Sequence, residues 1–241
     1  MDRLIGEIWV YLAASPLLWL TMTLVAYLAG QWLFQRSGGR ALFNPVALAI
    51  ALVVLLLLLT DTPYATYFSG AQFIHFLLGP ATVVLAIPLY LHWERVRQLF
   101  LPIIAGLATG SLIAILSAMG LAWLLGGSAQ TLLSLAPKSV TTPVAMGIAE
   151  KIGGLPSLTA VLVILTGVVG AVAAPALLGW LRIRDDAVKG FAIGVAAHGI
   201  GTARAFQIST LAGAFSGLAI GLNALLTALL VPLIVRWLHL T

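Results

Sequence analysis

Long apolar runs separated by short polar breaks occupy almost the whole chain. Candidate spans fall at about 8–30, 45–60, 67–92, 98–125, 157–181, 187–203 and 211–238, with an irregular segment at about 128–152. Most of these runs approach the ~20 apolar residues that a helix needs to cross a bilayer core of ~30 Å. The pattern predicts an all-α polytopic membrane protein with seven to eight membrane segments, some of them broken or re-entrant helices.

The breaks carry their own signals. The loop from Gln35 to Arg40 closes the first run, and Asn44-Pro45 opens the second as an N-cap followed by Pro at the first helical position. The third run is interrupted at Gly79-Pro80 and again at Pro88. The run from about 187 ends in His198-Gly-Ile-Gly-Thr-Ala-Arg-Ala205, where two glycines weaken a helix. No linker or low-complexity tract separates domains, so residues 1–241 read as one membrane domain.

Basic residues suggest an orientation, because cytoplasmic loops carry an excess of Lys and Arg. If 128–152 dips in and returns, Arg36, Arg40, Arg95, Arg97, Arg182, Arg184, Lys189 and Arg236 share the inner side, eight of the twelve Lys and Arg. Segments 45–125 and 157–238 then become inverted three-helix repeats, an arrangement common in secondary transporters. A full crossing by 128–152 would place three of those cations outside.

Composition agrees with the pattern. Hydrophobic residues make up 61% of the chain and charged residues 8%, and mean hydropathy is +1.12, far from the balance of soluble domains. The net charge of +5 belongs to loop cations and not to a nucleic-acid patch. The absence of cysteine excludes disulfides, thiolate metal sites and cysteine nucleophiles. Residues Met1 to Glu7 carry two acids and one arginine, unlike a signal peptide's basic start, so the first run reads as a retained helix. No metal cluster, cofactor loop or catalytic triad spacing is present, and an enzyme is not expected.

The chemistry gathers in two places. From Ser134 to Gly147 the chain holds one lysine, Lys138, four hydroxyl residues and two prolines. Pro137 and Pro143 each remove a backbone donor, and Thr142-Pro143 reads as an N-cap launching a short helix from Val144 to Lys151. Amides at a helix start carry partial positive charge and suit an anion. Lys138 adds a full charge, and Ser139, Thr141 and Thr142 add donors, so a small carboxylate fits. The plainer reading is that Lys138 pairs with Glu150 or reaches the interface while the hydroxyls cap backbone. The second place is His198, Thr202 and Arg204. The imidazole suits a coupled proton and the guanidinium a carboxylate; the plainer alternative is one buried hydrogen bond for His198 and an interfacial Arg204.

Other polar residues say less. Interhelical hydrogen bonding explains Gln72, His75 and Asn223 as well as substrate contact does, and Glu94, Asp185 and Asp186 read as solvated. Trp9, Trp19, Trp32, Trp93, Trp180 and Trp237 lie near span ends, where interfacial anchoring is sufficient. Glycines every four residues, as at Gly213, Gly217 and Gly221, fit packing within the subunit ahead of a homo-oligomer interface.

The runs Asn44-Pro45, Phe73 to Thr82, Leu135 to Glu150 and Ala197 to Ala205 resemble those of the LrgB/CidB family, over about residues 30 to 238. That family is described as antiholin-like, or as regulating murein hydrolase export. It is also similar to the C-terminal half of the plastidal glycolate/glycerate translocator. The resemblance implies a multi-pass protein of the bacterial inner membrane, partnered by a separate LrgA/CidA-like four-span chain. It also implies Lys138, Ser139, Thr141, Thr142, His198, Thr202 and Arg204 as site positions. Two functions are expected from it. One is a carrier of small monocarboxylates such as glycolate, glycerate, lactate or pyruvate, with proton coupling; the alternative is a holin/antiholin-like regulator of lysis.

Overall fold

The computed structural model describes residues 15–39, 43–77, 80, 83–84 and 86–239. The expectations placed on Met1 to Glu7, Trp9, Arg40, Gly79 and the side chain of His75 lie outside the described residues. All regular structure among the described residues is helical. The chain divides between Val83 and Val84 into two compact units.

The first unit holds α1 (Pro16–Arg36), α2 (Pro45–Leu59) and α3 (Tyr64–Phe76). Asn44 caps α2 as expected: its Oδ1 accepts the amides of Val46 and Ala47 at 3.0 and 3.1 Å, with Pro45 as the first helical residue. Gly30 lets α1 lie against the start of α2, where an added Cβ would sit 2.8 Å from the Pro45 carbonyl. Trp19 departs from its expected interfacial role. It is buried within the unit, edge-on to Tyr67 with ring centroids 6.1 Å apart.

The second unit holds α4 (Ala86–Leu91), α5 (Trp93–Gln98), α6 (Phe100–Leu124), α7 (Ala129–Leu135), α8 (Thr142–Ile152), α9 (Pro156–Trp180), α10 (Asp186–Ile208) and α11 (Thr210–Trp237). The helices α10 and α11 pack along most of their length. At Gly190 and Gly194 a Cβ would fall on the carbonyls of Ala212 and Ser216, so these two positions admit only hydrogen at the contact. Asp185 and Asp186 are not simply solvated. Asp185 caps α10 and accepts a 2.6 Å ion pair from Arg95, and Asp186 pairs with Lys189 at 2.7 Å.

Among the described residues, four helices are long and apolar enough to cross a membrane: α1, α6, α9 and α11. The helix α2 is shorter at 15 residues, and α10, at 23 residues, carries Asp186, Lys189 and Arg204 and is broken partway. Large apolar side chains such as Ile113, Leu165 and Leu225 stand exposed in the middle of spanning helices. Water would not tolerate so much apolar surface, whereas acyl chains do. The protein is a multi-pass membrane protein.

Candidate functional site

The irregular segment forms a hairpin of two short helices. Ser128 caps α7, its Oγ accepting the Thr131 amide at 3.2 Å. A turn over 136–141 follows, closed by the Lys138 amide on the Leu135 carbonyl at 3.1 Å. The return helix α8 begins one residue earlier than the sequence suggests: Thr141 stands at the N-cap without a side-chain cap bond, Thr142 is the first helical residue and Pro143 the second. It ends at Gly153, whose φ of 86° is the left-handed conformation that closes helices.

After α8 the chain comes back beside α7. The Leu155 amide donates to Ser134 Oγ at 2.8 Å, and Thr159 Oγ1 donates to the Ser134 carbonyl at 2.9 Å. A Cβ on Gly154 would meet the Ser134 amide nitrogen at 3.0 Å. The chain leaving α8 is thus tied to the last turn of α7, and α8 rises about 16 Å over its 11 residues.

The tip reaches the middle of three long helices. Asn223, 1% exposed at the centre of α11, donates from Nδ2 to the Ser139 carbonyl at 3.2 Å and to the Val195 carbonyl of α10 at 3.1 Å. Its Oδ1 accepts Ser111 Oγ of α6 at 2.6 Å and Thr227 Oγ1 at 3.2 Å. The site expected from sequence therefore includes a residue that sequence reading ranked among weak signals. The available hint was periodicity: Ser216 and Asn223 lie seven residues apart on one face of α11.

Beside the tip, α10 is broken. His198 has φ 40° and ψ −137° inside an otherwise helical run, a backbone state that side chains other than glycine occupy only under constraint. The constraint is its ring. The imidazole is 4% exposed, and Nε2 lies 2.9 Å from the Val163 carbonyl of α9. A carbonyl only accepts, so Nε2 carries the hydrogen and Nδ1 is the nitrogen left to gain a proton. Gly167 provides the room, since a Cβ there would sit 2.7 Å from His198 Cε1. Thr202 Oγ1 donates to the His198 carbonyl at 3.0 Å and shares a 2.7 Å bond with Ser216 Oγ.

An open groove of about 410 Å³ lies beside the tip, lined by Lys138, by Leu162, Leu165, Thr166, Val169 and Gly170 of α9, and by Ala196 of α10, with Leu165 and Val169 exposed at its rim. It lies midway along both helices. Lys138 has no ion-pair partner among the described residues, so the expected alternative of a pair with Glu150 is not formed. Ser139, His198 and Thr202 are buried around the same junction, while Thr141 and Thr142 sit half-buried at the start of α8. Arg204 stands apart: six residues beyond the break, its Nη1 donates to Gln207 Oε1 at 2.6 Å. Thr166 is a lining residue that the sequence did not single out. A second hollow of about 390 Å³ between α6 and α10 carries only apolar side chains and glycines. Gln72, for which interhelical bonding and substrate contact are equally expected, bonds within its own helix to the Ser69 carbonyl at 2.7 Å.

An all-helical, multi-pass chain whose helical hairpin meets a broken helix at mid-length is an integral membrane protein built on discontinuous helices. The chain belongs to the LrgB-like family, whose model matches residues 23–237. It is 38% identical over 218 residues to uncharacterized protein YwbG of Bacillus subtilis (strain 168), covering 90% of this chain and 96% of that one. It is 37% identical over 227 residues to uncharacterized protein YxaC of the same strain, covering 94% and 98%. It is 28% identical over 219 residues to antiholin-like protein LrgB of Bacillus cereus (strain B4264), covering 91% and 95%. No solved structure matches it. With these relatives and its apolar helices, the chain is a multi-pass protein of the bacterial membrane.

Proposed function

We propose that the protein is a carrier of small monocarboxylates, of the glycolate, glycerate, lactate or pyruvate class, and that Lys138 binds the carboxylate. The observation that supports this most is Lys138, without an ion-pair partner among the described residues, on the lining of a groove midway along α9 and α10. A lysine at the bilayer centre costs about 2.5–3.5 kcal/mol on insertion scales, so one held there without an ion pair is a functional position by default. The start of α8 at Thr142 adds free amides and their partial positive charge a few residues further on. In this reading the anion lies between Lys138 and the hydroxyl of Thr166, with Thr141 and Thr142 within the same turn of chain. His198 Nδ1 is the place for a coupled proton. Arg204 serves as a second anion contact nearer the end of α10.

In the same reading the hairpin is re-entrant, with both ends on one face of the membrane, and the segment count reaches the seven to eight expected from sequence. The partner is a LrgA/CidA-like chain.

A second reading is favoured by the names of the relatives. The Bacillus cereus relatives are named antiholin-like, which speaks for a regulator of lysis. The two readings part in proteoliposomes. A carrier gives saturable uptake of labelled pyruvate, lactate, glycolate or glycerate, steeper with an inward proton gradient, with or without the added LrgA-like chain. A regulator gives no saturable uptake of any of the four under either condition.

A further inference from the structure

Asn223 joins groups that seldom meet. Its Nδ2 bridges two backbone carbonyls, Ser139 O at 3.2 Å and Val195 O at 3.1 Å. The orientation of the amide is fixed by chemistry: turned over, its oxygen would face two carbonyl oxygens with no hydrogen between them. Both carbonyls belong to interrupted backbone. Ser139 lies in the hairpin turn between α7 and α8. Val195 lies three residues before the non-helical His198, where the ladder partner of its carbonyl would be the Gly199 amide on the far side of the break.

Where carriers hold a coupling cation, unwound carbonyls and the C-terminal ends of half-helices are its ligands. Two such carbonyls converge here on the Asn223 NH₂ group, while the hydroxyls of Ser111 and Thr227 hold the other end of the amide by donating to its Oδ1. We propose that the Asn223 amide occupies a built monovalent-cation position: it supplies the positive end that ties the hairpin tip to the first half of α10, and the protein binds no Na⁺ there. Replacing the amide by a carboxylate turns the position into a Na⁺ site. The ligands would be the Ser139 and Val195 carbonyls and the new carboxylate, an all-oxygen set suited to a hard cation, with the Ser111 and Thr227 hydroxyls still donating to the second carboxylate oxygen.

This inference concerns cation binding and holds under either reading of the protein's function. The test is thermal unfolding of the purified full chain in detergent, in NaCl against choline chloride at equal ionic strength. Wild type is expected to unfold at the same temperature in both salts. Asn223→Asp is expected to be less stable in choline and to regain roughly 5–10 °C, saturably, at a hundredfold excess of Na⁺ over its dissociation constant. Asn223→Ser removes the amide without adding charge and is expected to show the same dependence at smaller size; it decides the matter if the aspartate variant does not fold. Saturable stabilisation of wild type by Na⁺ would overturn the proposal. So would indifference of the variants to Na⁺ between about pH 6 and 9.

Discussion

Single residues at the junction are held by contacts that glycine makes room for. Gly167 is the sharpest case, because a Cβ there meets His198 Cε1 at 2.7 Å and Nε2 at 2.9 Å. Gly167→Ala is expected to displace the ring, break its bond to Val163 and lower stability by about 1–3 kcal/mol, the range for leaving buried polar groups unmade. Gly120→Ala is the matched control: nothing lies within 4 Å of its added Cβ, and the substitution should be neutral or stabilise by up to about 1 kcal/mol. Unfolding in detergent compares the two. Equal effects would mean that the His198 contact carries no weight.

His198 itself separates backbone strain from side-chain chemistry. Glycine accepts φ 40° freely, so His198→Gly recovers part of the ~1–3 kcal/mol of strain while losing the buried imidazole. The variant is expected to stay folded and, if the carrier reading holds, to take up substrate with a flattened pH profile. His198→Gln should flatten it equally. A pH profile unchanged in both would remove His198 as the proton site. Lys138 and His198 were legible in the sequence because charged or titratable groups are conspicuous in apolar chain. Asn223 was not, since one asparagine in a span has many bland explanations, and its four hydrogen bonds exist only once four separate stretches of chain have met.

At the scale of elements, prolines announced the hairpin and glycines announced a weakness in α10, yet neither located the event fully. The sequence placed the helix start at Pro143, whereas Thr142 already has helical geometry. It pointed to Gly199 and Gly201 as the weak positions in α10, whereas the non-helical residue is His198. The reason is tertiary: the bond to Val163 and the space at Gly167 fix the ring and force the backbone to follow. Of the third expected span, α3 covers Tyr64–Phe76 and α4 covers Ala86–Leu91, with Pro88 inside α4.

The proposal that the hairpin is re-entrant makes a prediction about faces. Leu125 and Leu155 flank it and are 86% and 41% exposed. Leu125→Cys and Leu155→Cys should be labelled by an impermeant thiol reagent from the same side of the membrane, and Arg184→Cys from the other. Labelling of the first two from opposite sides would mean that residues 128–152 cross fully, and the inverted repeat of 45–125 and 157–238 would fall with it.

For the whole molecule, composition and run lengths sufficed to identify a helical membrane protein, since 8% charge and long apolar runs leave no soluble alternative. Division into two units was not visible, because it depends on which helices pack together and not on any linker. Function sits between these levels. The relatives' names lean towards a regulator, and the mid-span lysine leans towards a carrier. The direct test is uptake of labelled pyruvate and glycolate into proteoliposomes by wild type and by Lys138→Met, with insertion and unfolding temperature measured on the same preparations. Removing an intramembrane charge should leave insertion intact, and saturable uptake should fall at least about a hundredfold, the loss expected when a charge-assisted contact of roughly 3 kcal/mol disappears. Normal saturable uptake by a well-folded Lys138→Met protein would contradict the account.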